Sequence, residues 1–468
     1  MTTIHKKEGK VIAYTKGAID SLLSKCSHIL YNGEVKPLIP QEKSTILKVN
    51  SIYASHALRM LGFAYKPLNS NYNKQNVEEN LIFVGVVGMM DPPRPEVFEA
   101  IKTCKKAGIL PIMITGDHKE TAFAIASELG IAKSINQVIT GSELDKISDE
   151  QLVQQINNFK VYARVNPAHK VRIVGAFKAQ DKIVAMTGDG VNDAPSLKAA
   201  HIGVGMGIRG TDVTKGVADI VLTDDNFATI VSAVKEGRKV YSNILKIMQL
   251  LLTTGLAEVI LMMTIIVFMG RAFFGPALIL WINFVSDTLS ALALGAEKPE
   301  KDIMEKPPIK DRRNILLSPV GASIAYTAVV QASIIFALYF YSLNVLGLSA
   351  ITTITMCFIG LVVMELFHSY NLRSENDSLL TIKMFSNKYI NYAFVISLVI
   401  TSLGVILPIP AVHAAFGITS LTLAQWAIAI GFAFLIIPSV EIIKIFKRKK
   451  LKGKKFWAIR INAAYNLN

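Results

Sequence analysis

The stretch MTGDGVNDAPSLKAA, residues 186–200, sets the class of this chain. Two carboxylates, Asp189 and Asp193, and the amide of Asn192 sit on a loop softened by Gly188 and Gly190. The loop lies between the apolar run IVAM and a helix-like APSLKAA. Such a loop can hold a divalent metal beside a phosphate. A second strand end, MITGD at 113–117, nearly repeats it. Around both, the apolar runs IFVGVVGMM, ILPIMIT, QVIT, KVYA, KIVAMT, IGVGM and ADIVLT alternate with helical patterns such as HKETAFAIASELG. That alternation predicts a parallel sheet covered by helices on both faces. Ligands of such sheets collect at the carboxyl ends of the strands, so Thr115, Gly116, Asp117 and Asp189 are expected to share one crevice.

Outward from this region the hydropathy changes. Up to about residue 225 the chain reads as a water-soluble protein. Beyond 245 it carries six apolar runs, 246–269, 277–295, 319–342, 350–368, 390–408 and 422–446, each long enough to cross a bilayer. The net charge of +15 is placed asymmetrically. Lys298, Lys301, Lys306, Lys310, Arg312 and Arg313 lie between the second and third runs, and Arg373, Lys383 and Lys388 between the fourth and fifth. The tail KIFKRKKLKGKK follows the sixth, whereas the opposite loops carry one basic residue, Arg271. This positive-inside pattern predicts a multi-pass protein of the cell membrane with its soluble part and C-terminus in the cytoplasm. Membrane orientation accounts for the basicity, so no nucleic-acid partner is expected. The three cysteines, Cys26, Cys104 and Cys357, form no CxxC pair, and neither disulfides nor a structural zinc site is expected.

The paired prolines of DPPRPE (91–96) stiffen the backbone and read as a hinge. After an N-cap candidate, Asp225 or Asn226, no proline occurs until Pro276. One helix is therefore expected to run from cytoplasm into membrane, with Asn226 and Glu258 about 48 Å apart. Ionisable and polar groups at bilayer depth are costly and usually mark an ion path. Glu258 lies in the first span, Asn283, Ser286 and Asp287 in the second, and Glu365 in the fourth. An α-helical spacing puts Asn283 and Asp287 on one face. All are hard oxygen donors, suited to Ca²⁺ and poorly suited to copper or zinc.

These stretches resemble the P-type ATPases, in the branch that includes calcium pumps. The resemblance rests on KGAID (16–20), DPPRPE, MITGDHKETA (113–122), ARVNPAHK (163–170), MTGDGVNDAPSLKAAHIGVGMG (186–207) and WINFVSDTLSALALG (281–295), in the family's order. It implies an α/β haloacid-dehalogenase-like (Rossmannoid) phosphorylation domain over 91–225, incomplete, preceded by part of an α+β nucleotide-binding domain over 1–90. Residues 226–468 would form a stalk and an α-helical six-span membrane domain. By resemblance the cofactors are Mg²⁺ and ATP. Asp189 would ligate Mg²⁺, with Asn192 and Asp193 ordering metal and phosphate. Thr115, Gly116 and Asp117 would line the phosphate site, and Lys170 would bring a positive charge to it. Arg164 would link the nucleotide and phosphorylation domains, while Lys16 and Arg59 would contact ATP. Glu258, Asn283, Ser286, Asp287 and Glu365 would bind the transported cation.

The sequence departs from the family in three ways. Gly255 stands where two-site calcium pumps carry an amide ligand, which leaves one Ca²⁺, Mn²⁺ or Na⁺ per cycle open. Ser286 replaces a threonine but keeps the hydroxyl. The Asp-Lys-Thr-Gly sequence on which family members are phosphorylated does not occur, the nearest strings being DKIS at 145 and DKIV at 181. The resulting expectation is the C-terminal part of an ATP-driven cation pump, exporting Ca²⁺ and inactive alone. The missing N-terminal part could be supplied as a separate chain, and the bilayer is the other partner. The competing readings are a non-catalytic membrane remnant or partner subunit, and a free-standing phosphohydrolase.

Overall fold

A computed structural model describes residues 1–448 apart from 8, 56–57, 70–71, 74–75, 90–91, 271–272, 309–318, 375–376 and 408; side chains at 7, 54, 55, 59 and 319 are also not described. Asp91 of the proline hinge, Arg271, Lys310, Arg312, Arg313 and the tail beyond 448 thus lie outside the described residues. The chain divides into two compact units, Met1–Ala233 with Met304–Pro308, and Val234–Ile303 with the chain from Ile309 onward.

The first unit opens with a six-stranded sheet. Its strands are β1 Thr2–Lys7, β2 Lys10–Gly17, β3 Cys26–Tyr31, β4 Glu34–Pro37, β5 Arg59–Leu68 and β6 Leu81–Met89. They stand in the order β1-β2-β5-β6-β3-β4, antiparallel except for β3 with β6. Ile19, Leu22 and Leu23 of a short helix pack on Ala64, Leu81 and Phe83 from the sheet. The run IFVGVVGMM therefore belongs here and not to a parallel sheet. Leu81 and Phe83 are buried with half-buried Ile82 between them, the alternation of a strand covered on one side.

The parallel part follows as β7 Met113–Thr115, β8 Val138–Thr140, β9 Val161–Ala163, β10 Ala185–Gly188, β11 Ile202–Met206 and β12 Ile220–Leu222. The single sheet expected from the sequence is instead two three-stranded ladders, β7-β9-β8 and β10-β11-β12. They meet through side chains, with Ile114 of β7 packed among Val184, Met186, Val174 and Leu197. Apolar contact does the joining where a backbone ladder was expected.

The second unit contains the membrane helices. Among the described residues, six helices are long and apolar enough to span: Phe227–Met269, Pro276–Gly295, Val320–Val345, Ala350–Asn371, Lys388–Ile406 and Leu423–Arg448. This is a multi-pass membrane protein with a cytoplasmic soluble part. The first helix runs unbroken for 43 residues through Gly237 and Gly255, about 65 Å at 1.5 Å per residue. Asn226 caps it, its Oδ1 accepting the Ala228 N–H at 2.9 Å. Asp225 is held elsewhere, in left-handed backbone with its carboxylate on the N–H groups of Ile208 and Arg209. The fourth span is buried almost throughout and forms the centre of the bundle. Gly360 makes room there, because a Cβ at that position would lie 2.8 Å from Leu338. At the end of the second span Glu297 accepts from Arg373 at 2.9 and 3.2 Å and from Asn387 at 2.7 Å, a buried and satisfied ion pair.

Candidate functional site

In the first unit the loop after β10 is organised by Asp193. This buried carboxylate receives the Lys170 ammonium on Oδ1 at 2.5 Å and the N–H groups of Asp189 and Gly190 on Oδ2, both at 3.3 Å. A charge-assisted bond and two amide donors fix it inward. Gly188 is required by this arrangement, since a Cβ there would come within 2.4 Å of the Asp193 Cβ. Asp189 and Asn192 are left exposed on the same loop. The Asp189 carbonyl is pinned by the Thr211 N–H at 3.0 Å and the Thr214 hydroxyl at 3.3 Å. An exposed carboxylate and amide on a pinned backbone are hard oxygens of the type Mg²⁺ takes while keeping several waters. The donor set fits that ion.

At the end of β7 the Thr115 hydroxyl donates to Asp117 at 2.9 Å and accepts the Asp117 N–H at 3.1 Å. This closes a small turn that leaves Gly116 exposed. The carbonyl of Asp117 takes the N–H of Arg164 at 3.1 Å. Arg164 is in left-handed backbone, φ +50°, and its guanidinium meets the His118 ring. A non-glycine residue held in this conformation is a placement that functional loops tolerate. Thr115, Asp117 and Arg164 are thus joined by hydrogen bonds, as are Lys170, Asp189 and Asp193. The two groups are connected through Ile114 and its core neighbours. Lys16 is exposed at one end of β2, opposite Phe63, and Arg59 begins β5 at the same end of the sheet; the Arg59 side chain is outside the described residues.

In the second unit the intramembrane residues gather from three spans. Glu258, Ser286, Asp287 and Glu365 are all buried, with Ser286 and Glu365 fully so. Asn283 Nδ2 reaches Glu258 Oε2 at 3.3 Å. Asp287 and Glu258 are the acidic neighbours of Glu365. The periodicity differs from expectation: Ile282–Asp287 is π-helical. The wider turn puts Ser286 and Asp287 inside and leaves Asn283 exposed at the rim, so Asn283 and Asp287 do not share a buried face. Freed carbonyls are taken up locally, that of Val285 by Ser397 at 3.4 Å and that of Asn283 by Thr288 at 3.1 Å. Such π-bulges recur at functional positions.

Among the described residues, the buried carboxylate oxygens without a partner all belong to this cluster. Oε1 of Glu258, Oδ1 of Asp287 and both carboxylate oxygens of Glu365 are buried without a hydrogen bond of normal geometry, although the Ser286 hydroxyl lies beside Glu365. Buried acceptors are nearly always paired, and an unpaired one needs a reason. Among the described residues no three His, Cys, Asp or Glu side chains come close enough to enclose one metal ion, so neutral oxygens must complete any shell.

Three family descriptions match along the chain. Residues 1–96 match P-type ATPase, cytoplasmic domain N; residues 50–201 match haloacid dehalogenase-like hydrolase; and residues 271–446 match Cation transporting ATPase, C-terminus. The chain is 44% identical over 467 residues to Calcium-transporting ATPase 1 of Bacillus cereus, covering 96% of this chain and 52% of that relative. It is 37% identical to Calcium-transporting ATPase 1 of Lactococcus lactis (96% and 50%) and to Calcium-transporting ATPase of Bacillus subtilis (92% and 48%). The chain belongs to the P-type cation-transporting ATPases. It spans about half the length of the curated relatives it matches, and no Asp-Lys-Thr-Gly occurs in it.

One member of the membrane cluster escaped the sequence reading. Thr254, fully buried, donates its hydroxyl to Asp287 Oδ2 at 2.8 Å. The signal was available, since Thr254 lies four residues before Glu258 and therefore on the same helix face.

Proposed function

We propose that this chain is the cation-binding and magnesium-binding part of an ATP-driven pump for Ca²⁺, with Mn²⁺ or Na⁺ as alternatives. The observation that carries the reading is the set of unpaired, buried carboxylate oxygens on Glu258, Asp287 and Glu365. Hard oxygens without donors, held at membrane depth, suit a desolvated cation of the calcium type. The relatives named above are calcium-transporting ATPases, which favours that ion.

Residues 1–90 serve as part of the nucleotide-binding domain, 91–225 as the phosphorylation domain, and 226–468 as stalk and spans. Asp189 and Asn192 hold Mg²⁺, which supplies charge neutralisation during phosphoryl transfer. Asp193 orients the Lys170 ammonium toward the phosphate and fixes the amides of Asp189 and Gly190. Thr115 and Gly116 present hydroxyl and N–H to phosphate oxygens, while Asp117 holds the turn and the Arg164 backbone. Lys16 and Arg59 contact ATP from one end of the first sheet. The accepting aspartate comes from a segment outside these 468 residues. The continuous helix Phe227–Met269 then transmits the change to Thr254 and Glu258.

The test is ATP-driven uptake of radioactive Ca²⁺ into inside-out vesicles from cells expressing this chain together with a polypeptide that supplies Asp-Lys-Thr-Gly. Uptake is expected only with both, and is lost in Asp189→Asn and Asp287→Asn. Uptake indifferent to both substitutions would refute the proposal. Expressed alone, the chain is expected to hydrolyse no ATP.

A further inference from the structure

The third span carries a polar residue that none of the sequence motifs includes. Ile324, Ala328, Gln331, Ile335, Leu338 and Ser342 follow one another at steps of four and three, and every one is at most 3% exposed. This is the spacing of a packed helix seam. At its middle stands Gln331, fully buried, with neither its amide oxygen nor its amide nitrogen hydrogen-bonded. A primary amide buried without partners is costly, because it gives up its bonds to water and gains none. An apolar residue would fill the position without that penalty.

The packing fixes the level of Gln331 in the bundle. The seam faces the fourth span, which runs antiparallel: Ser342 meets Met356 at 3.7 Å, Leu338 abuts Gly360, and the Ile335 carbonyl lies 4.0 Å from the Cys357 thiol. Continuing this register by one turn of the third span brings Gln331 within about one turn of Glu365. Against the first span, which runs parallel, Gln249 bonds Ser323 at 3.1 Å, and Phe268 lies against Phe336 with centroids 6.5 Å apart. Gln331 falls between those contacts, level with the turn that follows Glu258. In the turn before Glu258, Gly255 offers no side-chain oxygen, and a Cβ there would meet nothing within 4 Å. Three facts therefore fall within about two helical turns of one another: unpaired acidic oxygens, open space at Gly255, and an unpaired amide on a third helix.

We propose that Gln331 supplies a neutral amide oxygen to the transported cation, taking the part that the side chain missing at Gly255 cannot play. The third span then helps to set ion affinity and selectivity, and is more than a packing element. This rests on the cation-site reading above. Its rival is that Gln331 acts as a polar contact between helices, a role that contributes to helix association and nothing to cation affinity.

Titration calorimetry with Ca²⁺ on the purified chain in lipid nanodiscs separates the two, using wild type, Gln331→Leu, Gln331→Met and Asp287→Asn. Methionine matches glutamine in length and keeps the seam filled should leucine disturb folding. Saturable binding by the wild type is expected, about tenfold weaker in both Gln331 variants and absent in Asp287→Asn. Wild-type affinity in folded Gln331→Leu or Gln331→Met, with binding still lost in Asp287→Asn, would overturn this inference and leave the cation site standing. No saturable binding by the wild type would overturn both.

Discussion

Asp287 and Glu297 are two buried acids of the same segment, one inside the second span and one just past its end, and they are treated in opposite ways. Glu297 has two bonds from Arg373 and one from Asn387, while Arg373 is held further by Ser386 and the Lys383 carbonyl. Asp287 has one neutral donor, Thr254, an unpaired second oxygen, and two acidic neighbours in Glu258 and Glu365. Protein groups alone satisfy the first centre. The second is left short of positive charge. Burial is therefore no guide to role by itself; the count of partners is.

The contrast is broken most forcefully at Arg373. Arg373→Ala leaves Glu297 with a single amide donor and is expected to destabilise the chain by about 3–5 kcal/mol, read as a lowered midpoint of thermal unfolding in detergent. Asp287→Asn should act in the other direction. Replacing an under-paired buried acid by a neutral amide is expected to raise the cation-free stability by about 2 kcal/mol, while abolishing any rise in that midpoint on adding Ca²⁺. Equal destabilisation by the two substitutions would erase the distinction.

The phosphate-side loop extends the comparison to a third acid, Asp193, which resembles Glu297 in being fully engaged. Gly188→Ala would push a methyl into its Cβ, 2.4 Å away. A loss of about 1–3 kcal/mol is expected, with weaker Mg²⁺ binding measured by calorimetry. The smallest effect concerns Asp225 at the start of the long helix. Partial desolvation raises its pKa, but bonds from the N–H groups of Ile208, Arg209 and Gly207 outweigh it and hold the carboxyl below the usual range. A depressed folded value means that its contribution is present above the ordinary carboxylate pKa of about 3.9 and lost as pH falls through the lower folded value. Amide exchange at Ile208 and Arg209, corrected for intrinsic rate, should accelerate across that window and not above it.

Much of this was legible in the sequence because it rests on local rules. Apolar length specified six spans, the absence of proline before Pro276 allowed the long helix, and Asn226 was a recognisable cap. The family and the haloacid-dehalogenase-like fold followed from the loop at Asp189 and the motifs around it. What could not be read depends on pairing between distant segments. Leu81–Met89 looks like any apolar run, and only its pairing with β5 and β3 assigns it to the first sheet. The division into two ladders is likewise a matter of hydrogen-bond partners. In the membrane, a spacing of four implied one face for Asn283 and Asp287, but a π-helical turn changes the angle per residue and moved Asn283 outward. Thr254 and Gln331 were passed over because a hydroxyl or amide in an apolar helix is unremarkable until its partners, or their lack, are known.

The most direct measurement is equilibrium binding of radioactive Ca²⁺ to the purified chain in nanodiscs, wild type beside Asp287→Asn, with excess Mg²⁺ present to occupy the Asp189 loop. Saturable binding in the wild type, lost in the variant and unaffected by Asp189→Asn, is the result predicted. Binding that survives Asp287→Asn, or that vanishes with Asp189→Asn instead, would contradict a cation site built from the unpaired acids of the membrane helices.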